Sequence, residues 1–75
     1  MEKMIAELPR RNGEVLKIEF SEYRGQTYFN LRIWYLDEQS GSHKPTKKGV
    51  SVTVEEFPLL REAIEKAAVE ISSQG

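Results

Sequence analysis

Aromatic and basic side chains alternate with apolar ones along the segment 27–36, which reads TYFNLRIWYL. The even positions include Tyr28, Arg32 and Trp34, whereas the odd positions from 29 to 33 are all apolar. Successive side chains of a β-strand point to opposite faces of the sheet. The pattern therefore predicts a strand with one apolar face and one face that carries two aromatic rings and a guanidinium group.

A basic stretch follows this strand. Residues 37–49, DEQSGSHKPTKKG, include Lys44, Lys47 and Lys48 and have no acidic residue after Glu38. Their serine, glycine and proline content predicts an irregular loop that is long for a hairpin. Aromatic rings stack on bases and lysines neutralise phosphates, so a strand and a loop of this kind are typical of a site for single-stranded nucleic acid.

The small size and the composition of the chain narrow its function. It has 75 residues, no cysteine and a formal net charge of -1. A domain of this size buries only about 60% of the surface that its unfolded chain exposes, so oligomerisation is the expected source of further burial. Disulfide bonds and thiolate metal sites are excluded. We see no apolar run typical of a signal peptide or a membrane span, and we expect a cytoplasmic, nucleoid-associated protein.

Charge is unevenly distributed along the chain. Residues 40–50 contain three lysines and no acid, whereas residues 55–70 contain five glutamates against one arginine and one lysine. Such segregation of charge indicates what kind of partner a protein binds, and not which fold it adopts. We expect a nucleic acid to lie on the sheet side of the molecule, away from the acidic segment.

The N-terminal part of the chain predicts a hairpin. Residues 3–8 fit a first strand or a fragment of helix, and Pro9 ends this element because proline has no N–H for a β-ladder. Asn12-Gly13 is a strong two-residue hairpin signal, since both residues tolerate a positive φ.

A second strand is expected over residues 14–21, which also alternate. Its apolar parity pairs with that of segment 27–36 across a tight turn at 23–26. This pairing leaves Lys17 and Tyr23 on the same face as the aromatic and basic residues of the following strand.

A capping box marks the start of a C-terminal helix. Residues 50–54 alternate as a short strand, and Thr53 and Glu56 then have the spacing at which each side chain bonds the other's backbone N–H. We expect a helix that begins near residue 54, a single domain over 1–71 and a frayed tail over 72–75.

This helix is apolar over more than one face. The main stripe, expected to meet the sheet, consists of Phe57, Leu60, Ile64, Ala67 and Ile71. Leu59 and Ala63 form a second, smaller apolar edge beside it, which predicts contact with a second partner in addition to the sheet. The expected dimer interface comprises Leu59, Leu60, Ala63, Ile64 and Ala67.

Two motifs are more specific than these patterns. KPTKKGVS at 44–51 combines a Lys-Pro, a basic pair, a glycine, a β-branched residue and a serine, and YRG at 23–25 precedes Arg32 and the aromatic pair at 34–35. With the strand NLRIW and the helix opening TVEEFPLL, they resemble the single-stranded-DNA-binding domain of the positive-cofactor-four transcriptional coactivators, especially its small bacterial members. The resemblance covers residues 15–67.

The resemblance implies an α+β fold, with a curved four-stranded antiparallel sheet followed by one C-terminal helix that joins a homodimer. It also implies that the sheets bind single strands or opened duplex with little sequence preference. The ligand-facing positions that it implies are Tyr23, Arg24, Arg32, Trp34 or Tyr35, Lys44, Lys47, Lys48 and Gly49. Strand parity adds Lys17 and Tyr28 to this set.

Two positions qualify the resemblance. Gln26 stands where the family often has a basic residue after the turn glycine, which predicts one weaker phosphate contact. The stacking aromatic maps onto Trp34 or Tyr35: strand parity favours Trp34, and a bulge near the strand end would favour Tyr35.

The sequence thus favours a homodimeric protein that binds single-stranded DNA or RNA and acts in transcription regulation, replication or repair. The alternative is a protein-interaction adaptor that uses the same sheet face. No nucleophile–base pair, phosphate loop or metal-ligand cluster is recognisable, so we expect no enzyme activity and no cofactor. His43 is the only histidine, and we interpret it as a surface loop residue.

Overall fold

The computed structural model describes residues 1–74. Four strands, β1 (Lys3–Pro9), β2 (Val15–Tyr23), β3 (Gln26–Asp37) and β4 (Ser42–Thr53), precede one helix, α1 (Phe57–Ser73). The strands form one curved antiparallel sheet in the order β1-β2-β3-β4, so each strand pairs with its neighbour in sequence. The predicted architecture is confirmed, and residues 3–8 belong to a strand rather than a helix.

The apolar faces of β2 and β3 meet as their alternation predicts. Their register is continuous from Val15, opposite Trp34, to Tyr23, opposite Gln26. The apolar cross-strand pairs are Leu16–Ile33, Ile18–Leu31 and Phe20–Phe29. Because β3 has no irregularity against β2, strand parity holds from Gln26 to Trp34.

The two N-terminal turns use residues with positive φ. Arg24 (φ 53°) and Gly25 (φ 76°) form the two-residue connection between β2 and β3, as the twist of a hairpin requires. Asn12 and Gly13 also have positive φ, but they lie within a short 3-10 turn in the connection between Pro9 and Val15. That connection is therefore longer than the expected two-residue turn.

The basic segment is a strand and not the irregular loop that its composition predicts. β4 begins at Ser42, so only residues 38–41 connect it to β3. β4 is an edge strand, so no further strand pairs with the side that faces away from β3. Proline, which has no N–H, is tolerated in such a strand at position 45. A register shift after Pro45 absorbs the extra residues of the segment.

The capping box forms, but the helix begins later than expected. The backbone N–H of Thr53 donates to Glu56 Oε1 at 2.9 Å, and the N–H of Glu56 donates to Thr53 Oγ1 at 3.2 Å. These bonds close a turn between β4 and the helix, which starts at Phe57 with Pro58 in its first turn. The helix continues to Ser73, and the last residue of the expected tail, Gly75, lies outside the described residues.

The helix packs on its own sheet only at its start. The Phe57 ring lies 4.9 Å from that of Phe29, with an edge-to-face geometry. Beyond Leu60 every described helical residue is exposed, including Ile64 (55%) and Ile71 (73%). The expectation that the main stripe covers the sheet of its own chain is therefore wrong, because the helix leaves the sheet after its first turn.

No described side chain is fully buried in the single chain. The apolar side of the sheet is at best half-buried, and Val50 on that side is 56% exposed. No described helix combines the length and the hydropathy needed to span a membrane.

Candidate nucleic-acid interface

One face of the sheet gathers the aromatic and basic residues that alternation predicts. Tyr28, Arg32 and Trp34 of β3 lie on this face, and Lys17 of β2 lies opposite Arg32. The helix begins on the other face, where Phe57 contacts Phe29. We call the first side the aromatic–basic face and the second the apolar face.

Trp34 is half-buried beneath a lysine. The Nζ atom of Lys17 lies 3.9 Å from the centroid of the Trp34 ring and 3.5 Å from Glu7 Oε1 on β1. The Nε1 atom of Trp34 is buried and has no hydrogen-bond partner among the described residues. One ring face of Trp34 is thus occupied by a cation that a neighbouring carboxylate holds in place.

The centre of the aromatic–basic face is polar. Asn30 Nδ2 donates to Ser21 Oγ at 2.9 Å, and Ser51 Oγ donates to Asn30 Oδ1. These bonds join β2, β3 and β4 in one row. They fix a hydrogen-bonding strip between Tyr28 at one end of the face and the Arg32–Trp34 region at the other.

Tyr35 and Lys44 lie on the opposite side from Trp34. They are cross-strand partners, and Tyr35 shares the parity of the apolar residues of β3. Tyr35 is nonetheless 41% exposed, since it lies beyond the apolar pairs. The structure therefore separates this predicted pair from Arg32 and Trp34.

Lys44 already has an anionic partner. Its Nζ atom lies 2.8 Å from Asp37 Oδ2. The pKa of Asp37 is lowered, first by this contact and then by a hydrogen bond from Ser40, against a smaller opposing effect of burial. A phosphate at Lys44 would have to compete with this carboxylate.

The predicted lysines at 47 and 48 lie on a bulge of β4. Between the pairs Arg32–Gly49 and Trp34–Pro45, three residues of β4 oppose one residue of β3. Lys47 and Lys48 are exposed there and make no ion pair within residues 1–74. The bulge thus presents two cations at the edge of the sheet, beside Arg32.

The close approach of two strands explains why position 49 is a glycine, without any contact to a ligand. A Cβ atom at this position would lie 2.6 Å from the carbonyl oxygen of Leu31 and 3.0 Å from Cα of Arg32. Only glycine lets β4 return so close to β3 directly after the bulge.

The remaining predicted contacts lie at the far end of the sheet. Tyr23 is 62% exposed, and the guanidinium carbon of Arg24 lies 5.1 Å from its ring centroid. Eight residues of β3 separate this turn from Trp34, which corresponds to about 27 Å at about 3.4 Å per residue. The two groups can share a ligand only if it is extended along β3.

His43 is part of β4 and not of a loop. It lies opposite Leu36, and its Nε2 atom is 2.8 Å from the carbonyl oxygen of Gly13. It therefore ties the first turn to the last strand. No cluster of three or more potential metal ligands occurs in the described part of the chain.

Comparison with known proteins identifies the family. Residues 11–63, more than half of the chain, match the family described as Transcriptional Coactivator p15 (PC4). The chain belongs to the PC4 family. The matched region contains strands β2, β3 and β4, the bulge and the first part of the helix.

Solved PC4 homologs share the fold. The bacteriophage T5 homolog of the eukaryotic coactivator PC4, implicated in recombination-dependent DNA replication, is 30% identical with a TM-score of 0.80, over 95% of this chain and 81% of that chain. A PC4 homolog from Burkholderia pseudomallei is 25% identical with a TM-score of 0.77, over 89% of both chains.

A curated PC4 relative is longer than this chain. A Caenorhabditis elegans protein assigned as an RNA polymerase II transcriptional coactivator is 29% identical over 52 residues. The match covers 69% of this chain and 42% of the relative, so the chain spans about two fifths of that protein's length.

Three residues of this PC4 site were not singled out from the sequence. Thr46 bonds the bulge, whereas Asp37 and Glu7 pair with two of the predicted lysines. Thr46 stands inside the motif at 44–51 and Asp37 is the first residue of the basic stretch 37–49, but their contacts depend on the register of β4. A segment interpreted as a loop gives no such register.

Proposed function

We propose that this protein is a homodimer that binds single-stranded nucleic acid, mainly DNA, with little sequence preference. The observation that carries the proposal is the aromatic–basic face, where Tyr28, Arg32 and Trp34 share one side of the sheet and the bulge lysines lie at its edge. Stacking on aromatic rings and neutralisation of phosphates are both independent of base identity. The protein acts by binding and not by catalysis.

Each predicted residue has a role in this proposal. Trp34, Tyr28 and Tyr23 stack on bases, with Tyr35 as the second candidate at the strand end. Arg32 donates to a phosphate with the N–H groups that it does not use within the fold. On this face and at its edge, the phosphate contacts are completed by Lys17, Arg24, Lys47, Lys48 and the backbone at Gly49, whereas Lys44 contacts phosphate on the opposite side, next to Tyr35.

The dimer is supported by apolar surface that the single chain leaves exposed. Leu59 (72%) and Ile64 (55%) of the helix lie open, as does Val50 of the apolar face. Burial of such surface contributes about 25 cal/mol per Å², and a domain this small gains stability from it. We propose that a second copy covers these surfaces through Leu59, Leu60, Ala63, Ile64 and Ala67.

The cellular role follows from the relatives by analogy. The phage T5 homolog is implicated in recombination-dependent DNA replication, and the nematode relative is assigned as a transcriptional coactivator. We propose a role in replication, repair or transcription regulation, in the cytoplasm and in association with the nucleoid.

The test is a titration with a dT oligomer of about 20 nucleotides at several salt concentrations, with Trp34 fluorescence as the signal. Trp34 is the only tryptophan, so the signal has one source. If about four cations engage phosphates, log affinity falls with log salt with a slope near -3, at about 0.7 per phosphate. Absence of binding at low salt would refute the proposal.

A charge-reversal variant distinguishes nucleic-acid binding from an adaptor. Lys44, Lys47 and Lys48 are replaced together by glutamate, and a single charge reversal in the helix, Lys66→Glu, serves as the control. We expect the first variant to lose dT binding and K66E to retain it. An adaptor for a neutral peptide would retain its binding in both variants and show little salt dependence.

A further inference from the structure

The bulge of β4 is closed by a single threonine. Thr46 Oγ1 donates to the carbonyl oxygen of Ile33 at 2.7 Å and accepts from the backbone N–H of Lys48 at 3.1 Å. The carbonyl oxygen of Thr46 accepts from Nη1 of Arg32 at 2.9 Å. We call this set of three hydrogen bonds the Thr46 clip.

The clip replaces ladder bonds that the bulge interrupts. Where three residues of one strand oppose a single residue of the other, regular pairing is lost and the extra residues need other partners. Thr46 is half-buried, whereas Lys47 and Lys48 beside it are exposed. The hydroxyl therefore anchors the segment from inside, and the two lysines point away from the anchor.

An anchored segment binds a ligand at lower entropic cost. Fixing a flexible backbone costs conformational entropy, and a phosphate that bound to an unanchored bulge would have to offset this cost. The Thr46 clip already orders the bulge before a ligand binds. The Thr46 hydroxyl bonds both the backbone N–H of Lys48 and the carbonyl oxygen of Ile33 on β3.

We propose that Thr46 is a positioning residue, which fixes the bulge so that Lys47 and Lys48 meet the phosphates together. This inference rests on the proposed function, since it concerns the same site. Thr46 itself need not touch the ligand. Thr46 affects binding affinity only through the two lysines. Its effect on affinity can therefore be distinguished from an effect on stability alone, which would not depend on the lysines.

The test is a double-mutant cycle on dT oligomer binding. Thr46→Val removes the hydroxyl and keeps a β-branched side chain of similar size, whereas Thr46→Ser keeps the hydroxyl. We expect T46V, which loses both hydrogen bonds of the hydroxyl, to weaken binding about 5-fold and T46S to bind like the wild type. In a K47Q/K48Q background we expect T46V to cost less than about 2-fold.

Amide hydrogen exchange gives a second measurement. The N–H of Lys48 should exchange faster in T46V and at the wild-type rate in T46S, because only the former loses its acceptor. Thr46→Ala, which also lacks the hydroxyl and adds no bulk, provides the same comparison if T46V does not fold.

The outcomes separate the two proposals. Equal costs of T46V in both backgrounds, or no cost in the wild-type background, would overturn the positioning role while the proposed function stands. A wild-type protein that does not bind the dT oligomer would overturn both.

Discussion

At the scale of residues, two acidic side chains oppose the function of the cations around them. Asp37 pairs with Lys44, and Glu7 pairs with Lys17 where it covers Trp34. Exposed ion pairs contribute little to stability, because water and salt screen them. In the proposed binding mode their main effect is on affinity, because each carboxylate places a negative charge next to a lysine that is proposed to contact phosphate.

Removal of the Asp37 charge should strengthen binding of single-stranded DNA. Asp37→Asn leaves Lys44 without its carboxylate partner, so we expect a few-fold higher affinity for a dT oligomer at low salt. Glu38→Gln is the matched control, since it removes the same charge one residue away and Glu38 makes no ion pair among residues 1–74. Equal gains in both variants would mean that only the net charge matters.

The same aspartate predicts a pH-dependent contribution to stability. The pKa of Asp37 lies below its ordinary value of 3.8, chiefly because of Lys44. The stabilisation that ionised Asp37 provides is therefore fully present above pH 3.8 and is lost as the pH falls through the lowered pKa. We expect the wild type to melt above D37N at pH 7 and the difference in Tm to shrink below about pH 3.8. A difference that persists unchanged at lower pH would contradict this assignment.

At the scale of elements, alternation predicted the structure wherever the pairing was regular. The apolar parity of β2 and β3 identified their pairs, and the same parity placed Arg32 and Trp34 on one face. The order of four strands and one helix followed from these patterns together with the capping box and the family motifs. Regular strands are predictable in this way because one periodicity determines both pairing and face.

β4 was predicted poorly because its local composition and its pairing disagree. Serine, glycine and proline favour a loop over residues 37–49, and only bonds to β3 override that preference. Thr46 and Arg32 supply two of these bonds. The residue types of the sequence thus identified the lysines of the candidate site. The sequence could not predict on which face each lysine lies, because the bulge changes the register between Lys44 and Gly49.

The contact of Gly49 with β3 predicts a steric cost for any side chain there. In Gly49→Ala the new Cβ would lie 2.6 Å from the carbonyl oxygen of Leu31, so β4 must move away from β3. We expect a loss of about 1–3 kcal/mol in the free energy of unfolding, measured with urea. Lys47→Ala is the control in the same strand and should change stability by less than about 0.5 kcal/mol. A G49A protein as stable as the wild type would show that the approach of the strands is not tight.

At the scale of the whole molecule, the single chain exposes the surfaces that normally form a core. No side chain among residues 1–74 is fully buried, and the helix contacts its sheet only through its first turn. We propose that the open apolar face of the sheet and the helix that stands away from it form two halves of one dimer interface. The proposed dimer brings the helix of one chain and the exposed apolar surfaces of the other together, and it leaves both aromatic–basic faces accessible.

The dimer predicts that folding depends on protein concentration. Ile64→Glu places a charge in the apolar stripe of the helix, so we expect monomers by sedimentation and a lower Tm. The Tm of the wild type should rise with protein concentration, as mass action requires for a coupled dimer. Val69→Glu is a matched control, since Val69 is also exposed (67%) but lies outside the stripe among Glu62, Glu65 and Lys66. Dimers that survive I64E with an unchanged Tm would contradict the proposed interface, and loss of the dimer in V69E alone would move it to the other side of the helix.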